Sequence, residues 1–312
     1  AFGGALAVTG SSGPGIALKS EAISLAMMTE LPLVVLNVQR GGPSTGLPTK
    51  PEQSDLLFSL FGRHGESPLP VVAASAPSDA FATAIEAARI ALKYMTPVIL
   101  LSDNLIANGS EPWKLPDVTD LPDISVKFAT RSNGPDGTFL PYDRDFETFS
   151  RPWAIPGTPG LEHRIGGLEK AAETGNVSYE PANHQLMTDT RAFKIQAIAS
   201  DIPHVVVDGD DDADLLVLGW GSTRGVIRAA ARRVRADGRK VATANLTHLS
   251  PFPENLGDLL AAYPKVLVPE LNTGQLRFLI RAHFLVDAVG INKVAGEPFK
   301  VSEIQDRIME MI

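Results

Sequence analysis

An arginine followed by glycines and small hydroxyl residues, Arg40-Gly41-Gly42-Pro43-Ser44-Thr45-Gly46-Leu47-Pro48-Thr49, is the segment of this chain best suited to chemistry. A guanidinium stays charged throughout the physiological range and forks onto a carboxylate through two parallel hydrogen bonds. The glycines let backbone and ligand approach closely. The pattern suits an anionic substrate. The same spacing also fits an arginine paired with an internal acid beside an irregular turn.

The element that must position Arg40 is the apolar run Leu33-Val34-Val35-Leu36-Asn37-Val38-Gln39, which reads as a buried parallel strand. Arg40 then sits at its carboxyl end, where open α/β sheets place ligands. Upstream, Ala5-Leu6-Ala7-Val8 reads as a strand, Thr9-Gly10-Ser11-Ser12-Gly13-Pro14-Gly15 as a small-residue loop, and Ile16 to Ala26 as a helix. A helix N-terminus offers free N–H groups to whatever occupies such a loop. The glycine spacing is neither the dinucleotide fingerprint nor the phosphate-loop pattern. By itself the loop is equally a plain connection.

Taken together, these segments resemble a known family. Ser11 to Gly15 with Lys19 and Glu21, Val38 to Lys50, Gln53-Ser54-Asp55-Leu56 and Phe61-Gly62-Arg63-His64-Gly65-Glu66 look like the α subunit of 2-oxoacid:ferredoxin oxidoreductases, most like the 2-oxoglutarate type. The likeness continues through Leu101-Ser102-Asp103, Asn108 to Trp113, Pro156 to Glu169, Leu218 to Thr223 and Val268 to Leu276, in order and over essentially the whole chain.

The resemblance implies a thiamine-diphosphate-binding-like doubly wound parallel sheet, the pyrimidine domain, joined to a transketolase C-terminal-like α/β domain. It implies thiamine diphosphate shared with a β subunit that brings Mg2+ and an iron–sulfur cluster, an α2β2 assembly, coenzyme A as co-substrate and ferredoxin as electron acceptor. The implied activity is oxidative decarboxylation of a 2-oxoacid, of the tricarboxylic acid cycle type. Arg40 would pair with the substrate's C1 carboxylate, Thr45 and Thr49 would bond the substrate or its distal carboxylate, and Ser11, Ser12, Gly13, Pro14 and Gly15 would line the thiamine pocket. The alternatives are a pyruvate or branched-chain enzyme of the same superfamily, or a non-catalytic scaffold fragment.

The chain opens at Ala1-Phe2-Gly3-Gly4-Ala5, without a methionine and inside what reads as the helix before a core strand, so a piece of a longer polypeptide is expected. By resemblance, the glutamate that activates thiamine lies a couple of dozen residues before the Ser-Gly-Pro-Gly turn and is missing here. Glu21 and Glu30 fall on or near the end of the following helix, where solvated or capping carboxylates are expected.

Composition adds limits. The 312 residues are 44% hydrophobic with abundant Gly and Pro, which fits a globular chain of about two domains. A net charge of -8 argues against a nucleic-acid surface. With no cysteine the chain supplies neither thiolates to a cluster nor a disulfide, which suits a reducing cytoplasm. No long apolar stretch or secretory signal marks a membrane protein. No histidine spacing marks a metal site; His184 and His248 read as structural.

Further along, Val71 to Ala74 and Val98 to Leu101 read as strands flanking a helix from Ser78, its N-cap, to Tyr94. Residues 1–112 form one expected domain. Residues 113–204 are a Pro/Gly-rich connection, expected to be an ordered excursion packed on a partner or near the site, with prolines breaking any long element. Residues 205–312 alternate strand and helix again, favouring parallel strands.

His64 and Glu66 stand just after a helix, where they fit either a role at the site or in the layer behind it, or a plain cap in which the histidine or Arg63 bonds carbonyls. His163 and Arg164 fit either coenzyme A phosphates or an exposed ion pair. Leu218-Gly219-Trp220-Gly221-Ser222 reads as a strand-to-helix turn able to meet an anion, although by resemblance its domain mostly supports a subunit interface. Asp211, Asp212 and Asp214 read as a solvated or disordered acidic run.

Overall fold

The computed structural model describes residues 1–210 and 212–312. The first half runs β1 (Ala7–Ser11), α1 (Gly13–Ala17), α2 (Ser20–Thr29), β2 (Leu33–Gln39), α3 (Leu56–Phe61), β3 (Val71–Ala73), α4 (Ala80–Tyr94), β4 (Pro97–Asp103) and α5 (Asn104–Asn108). After a long irregular stretch come α6 (Pro181–Ala197), β5 (Val207–Gly209), β6 (Leu215–Trp220), α7 (Thr223–Ala236), β7 (Ala242–Leu246), β8 (His248–Ser250), α8 (Leu256–Ala261), β9 (Lys265–Glu270), α9 (Gln275–Phe284), β10 (Val289–Asn292) and α10 (Val301–Met311).

Two five-stranded sheets result, ordered β1-β2-β4-β3-β8 and β10-β9-β6-β7-β5. Each is parallel except at one edge, where β8 pairs with β3 and β5 with β7 in antiparallel fashion. Because β8 comes from the second half, the boundary expected at residue 204 is crossed by a strand. Side-chain alternation explains how both faces are covered. Val35, Ile99 and Leu101 face a core shared with Leu218, Trp220, Leu246 and Val268 of the second sheet. Val34, Val98 and Leu100 face Ile90 and Tyr94 of α4 and Ile195 of α6. Ile99 and Leu101 are fully buried, each contributing about 1.5–3 kcal/mol.

Several expectations need correction. Residues 2–5 form a turn closed by Gly4 N donating to Ala1 O at 3.0 Å, not a helix end. β1 starts two residues later than its apolar run suggests, because it is an exposed edge strand whose extent is set by pairing with β2. The single helix expected from Ile16 to Ala26 is broken at Leu18-Lys19, where the Ser20 hydroxyl donates to Ala17 O at 2.8 Å and competes for a helical carbonyl. Ser78 is not the N-cap of α4. It lies in a 3-10 turn, Pro77–Asp79, and the Asp79 carboxylate accepts from Ser75 N at 2.9 Å and Ala76 N at 3.0 Å.

The connecting segment holds the 17-residue α6. Its inward positions Met187, Arg191, Lys194 and Ile195 keep helical spacing, but two are cations, so no apolar stripe betrays it. Of the acidic run, Asp211 lies outside the described residues, while Asp212 pairs with Lys240. No helix among the described residues is long and apolar enough to cross a membrane.

Candidate functional site

β2 lies between β1 and β4, so its carboxyl end brings Arg40 to the edge of the first sheet. The chain then folds back on itself: Leu47 N donates to Gly41 O at 2.8 Å and Gly41 N to Lys50 O at 3.1 Å. Gly46 permits this. Its φ is +48°, and a methyl there would meet Gly41 O at 1.8 Å. The turn, the start of α1 and the segment before α3 enclose a cleft of about 300 Å³ in which Arg40 faces Gly13, Pro14, Ser54 and Asp55. The Arg40 carbonyl accepts from Ser54 Oγ at 3.1 Å. Its guanidinium has no hydrogen bond or ion pair among the described residues, and its Nε is buried without a partner. Pairing with an internal acid is therefore not realised.

The other expected residues divide. Gly13 and Pro14 share the cleft with Arg40, whereas Ser11 and Gly15 line a separate groove along the β1 edge with Ile16 and Lys19, and Ser12 lines neither. Thr45 and Thr49 are exposed and outside the cleft lining, on the fold-back that Gly46 permits. His64 and Glu66 are exposed beyond α3 and away from the cleft. It is Arg63 that caps there, donating to Ser59 O at 2.7 Å and Ser67 O at 2.6 Å. His163 meets Leu161 O at 2.7 Å and packs edge-on against Phe139, Arg164 is exposed, and neither lines the Arg40 cleft. The Trp220-Gly221-Ser222 turn is buried.

Asp55 is the cleft residue to which the sequence reading assigns no role. Its Oδ2 accepts from Asn37 Nδ2 at 3.0 Å and its backbone N donates to Gln39 Oε1 at 2.9 Å. A methyl on Gly13 would stand 3.1 Å from Oδ2. Burial pushes the Asp55 carboxyl above the usual carboxylate range, against hydrogen bonds from Asn37 and Ser54 that lower it. Asn37 and Gln39 break an apolar strand with period two, and that was the available signal. The segment is also clamped to the second sheet: buried Gln53 donates to Trp220 O at 2.7 Å and accepts from Leu271 N at 2.8 Å, and Gln275 donates to Ser54 O at 2.8 Å.

Glu30 corrects the sequence reading most sharply. It is buried rather than solvated, ends α2 in the left-handed region and pairs with both Arg144 and Lys194. Arg151 donates to Thr29 O and Glu30 O, each at 3.1 Å, and Lys170 to Met28 O at 2.9 Å. The excursion thus caps the carbonyl end of α2 with cations. Burial pushes the Glu30 carboxyl up, but Lys194 and Arg144 hold it far below the usual range. His248 donates from, or accepts at, Nε2 in a 3.0 Å contact with Glu86, and His184 meets Glu169 at 2.7 Å.

Comparison with known proteins places the chain. The family described as pyruvate flavodoxin/ferredoxin oxidoreductase, thiamine diphosphate-binding, matches residues 1–180, and pyruvate:ferredoxin oxidoreductase core domain II matches residues 213–304. The chain belongs to the pyruvate flavodoxin/ferredoxin oxidoreductase family. Within it, the chain is 58% identical to 2-oxoglutarate oxidoreductase subunit KorA of Mycobacterium tuberculosis, over 97% of its own length and 46% of that protein. It is 30% identical to 2-oxoglutarate synthase subunit KorA of Methanothermobacter marburgensis, over 99% of its own length and 82% of that protein. A solved 2-oxoglutarate:ferredoxin oxidoreductase from Magnetococcus marinus, with 2-oxoglutarate, coenzyme A and succinyl-CoA bound, superposes with a TM-score of 0.90 at 38% identity, covering 99% of this chain and 54% of that one. The chain therefore spans about half the length of the Mycobacterium and Magnetococcus proteins.

The cleft lining fits an uncharged ring of the thiamine cofactor, which would find the small residues Gly13 and Pro14 beside it.

Proposed function

We propose that the chain is the α-type part of a 2-oxoglutarate:ferredoxin oxidoreductase, in which residues 1–112 contribute the pyrimidine side of a thiamine diphosphate site, 113–204 connect, and 205–312 brace the site. The observation that carries this reading is the Arg40 guanidinium, charged, without a partner among the described residues and lining a cleft at the carboxyl edge of a parallel sheet. The names of the relatives supply the substrate class.

A bound thiamine diphosphate supplies the electron sink for decarboxylation. The chain's own residues bind and orient. Arg40 forks onto the C1 carboxylate and fixes its direction before the carbon dioxide leaves. Gly13 and Pro14 give the pyrimidine a close backbone wall, with Ser11, Ser12 and Gly15 supporting that loop from behind. Thr45 and Thr49, at the rim, reach the distal carboxylate. A β-type subunit brings Mg2+, the diphosphate site and an iron–sulfur cluster, since this chain has no cysteine. We place the α2β2 complex in a reducing cytoplasm, with coenzyme A and ferredoxin as co-reactants.

The test is steady-state 2-oxoglutarate oxidation with a viologen acceptor by complexes carrying Arg40→Lys or Arg40→Ala. Loss of a charge-assisted pair from a desolvated site costs about 2–5 kcal/mol, or on the order of ten- to several-thousand-fold in kcat/KM. Lysine keeps the charge without the planar fork, so activity falls there too. An unchanged kcat/KM in a folded Arg40→Ala complex refutes the assignment. Tight, magnesium-dependent binding of thiamine diphosphate to the isolated chain would refute the shared site.

A further inference from the structure

The Arg40 cleft contains two opposite charges that do not neutralise each other. Charged groups removed from water are normally paired. Arg40 and Asp55 line the same cleft of about 300 Å³, yet no ion pair joins them, and neither has another ionic partner among the described residues. Both are fixed in this separated state. Arg40 is held through its carbonyl by Ser54, and Asp55 through Oδ2 by Asn37 and through its backbone by Gln39. A ligand seated in the cleft would meet both groups at once.

A 2-oxoacid offers Arg40 what it lacks but offers an ionised Asp55 nothing. Its carboxylates and keto group are acceptors without a donor among them, so a carboxylate at Asp55 would repel it. A carboxylic acid at the same place would donate. We propose that Asp55 is a specificity-determining residue of the cleft, binding in its acid form and giving a hydrogen bond from Oδ1 to an oxygen of the substrate while Asn37 holds Oδ2. The inference rests on the reading that the cleft takes a 2-oxoacid.

The surroundings favour that form. The charged group that shares the cleft with Asp55 is Arg40 at the end of β2; Glu52, earlier in the same segment, does not line the cleft, and its carboxylate accepts from Gly42 N at 3.3 Å. α1 (GPGIA) and α3 (LLFSLF), packed on either side, carry no ionisable residue, and neither does the Leu271–Gln275 stretch that clamps the segment. Burial disfavours the ionised form, and the Asn37 amide and Ser54 are the groups opposing it. Arriving carboxylates raise the acid's affinity for its proton further.

Binding is then linked to proton uptake, and a readout independent of turnover tests it. 2-Oxoglutarate is titrated calorimetrically into the assembled complex, prepared without thiamine diphosphate, in two buffers of different ionisation heat between about pH 5 and 9. The wild type is expected to take up close to one proton at the upper end, with affinity falling tenfold for each pH unit above the pKa of free Asp55. Asp55→Asn keeps a donor at the same place. It should take up no proton, lose that pH dependence and recover most of the binding that Asp55→Ala loses, a loss of tenfold or more. Binding without proton uptake in the wild type, or an Asp55→Asn complex as impaired as Asp55→Ala, overturns the role of Asp55 alone. A wild-type complex that oxidises and binds no 2-oxoacid overturns the functional reading and this inference with it. Thermal melts of each variant separate lost binding from lost folding.

Discussion

Two clusters of charge stand near opposite ends of the β2 region, and they are built in opposite ways. Before β2, Glu30 is buried with Arg144 and Lys194 on its oxygens, while Arg151 and Lys170 take the last carbonyls of α2. After β2, Arg40 and Asp55 are held by hydrogen bonds of their own but have no ionic partner among the described residues. The first cluster closes on itself and joins the 140–194 excursion to the first sheet. The second remains open toward a cleft. The closed cluster is also the deeper of the two, with Glu30, Lys194, Arg151 and Lys170 buried and Arg40 and Asp55 only half-buried, so arginine content and position beside the same strand do not distinguish them, whereas pairing and depth do.

The largest expected effect is on the closed cluster. Glu30→Gln leaves Arg144 and Lys194 buried without their counter-charge, which costs about 3–5 kcal/mol of stability in denaturant unfolding. Arg40→Ala should cost no more than about 0.5 kcal/mol in the same assay, because no internal bond is lost. Equal losses would break the comparison. Acid titration sharpens it. A carboxyl held below its unfolded value stabilises the fold above that unfolded value, about 4.3, and the contribution disappears only as pH falls through the lower folded value. Unfolding midpoints of wild type and Glu30→Gln should therefore stay apart from pH 7 to 5 and converge only in strong acid.

Next in size is the clamp beneath the open cluster. Gln53→Ala orphans Leu271 N in the interior and leaves Trp220 O with its bond from the Thr223 hydroxyl alone, for about 1–3 kcal/mol, and frees the segment carrying Ser54 and Asp55. Stability and kcat/KM should fall together, and a variant that loses stability while keeping full kcat/KM would show that the second sheet does not position the cleft. Gly46→Ala should act mainly on the cleft. A side chain at φ +48° that meets Gly41 O must open the fold-back beside Arg40, so KM should rise more than the melting temperature falls.

The sequence disclosed the open cluster far better than the closed one. Arg40 at a strand end, flanked by glycines, is a local pattern, and β2, α7 and α9 have apolar periods strong enough to be read from one stretch of chain. Glu30 gains its meaning from Arg144 and Lys194, more than a hundred residues away, and no local rule connects them. α6 is hidden for the same reason, since its inward face is part cation. Thr45 and Thr49 are harder to place, because the resemblance fixes their order but not the fold-back that carries them to the exposed rim. Asp55 carries no local signature of its own, although Asn37 and Gln39, polar positions on a buried strand, both lead to it.

The smallest expected effect concerns an ion pair that resembles the closed cluster on paper. His184 meets Glu169 at 2.7 Å, but its side chain is 68% exposed while that of Glu169 is 14% exposed. Glu169 also accepts from Arg191, at 3.1 and 3.3 Å, and from Lys170 N at 3.0 Å. Removing the histidine therefore leaves no buried group unpaired, and water takes its place at the edge. His184→Ala should change unfolding free energy by less than about 0.5 kcal/mol, and less again at high salt. Arg191→Met, which removes the buried partner of the same carboxylate, should cost several times more. If the two substitutions proved equal, the distance between charges would matter more than their removal from water, and the contrast between the Glu30 and Arg40 clusters would need another cause.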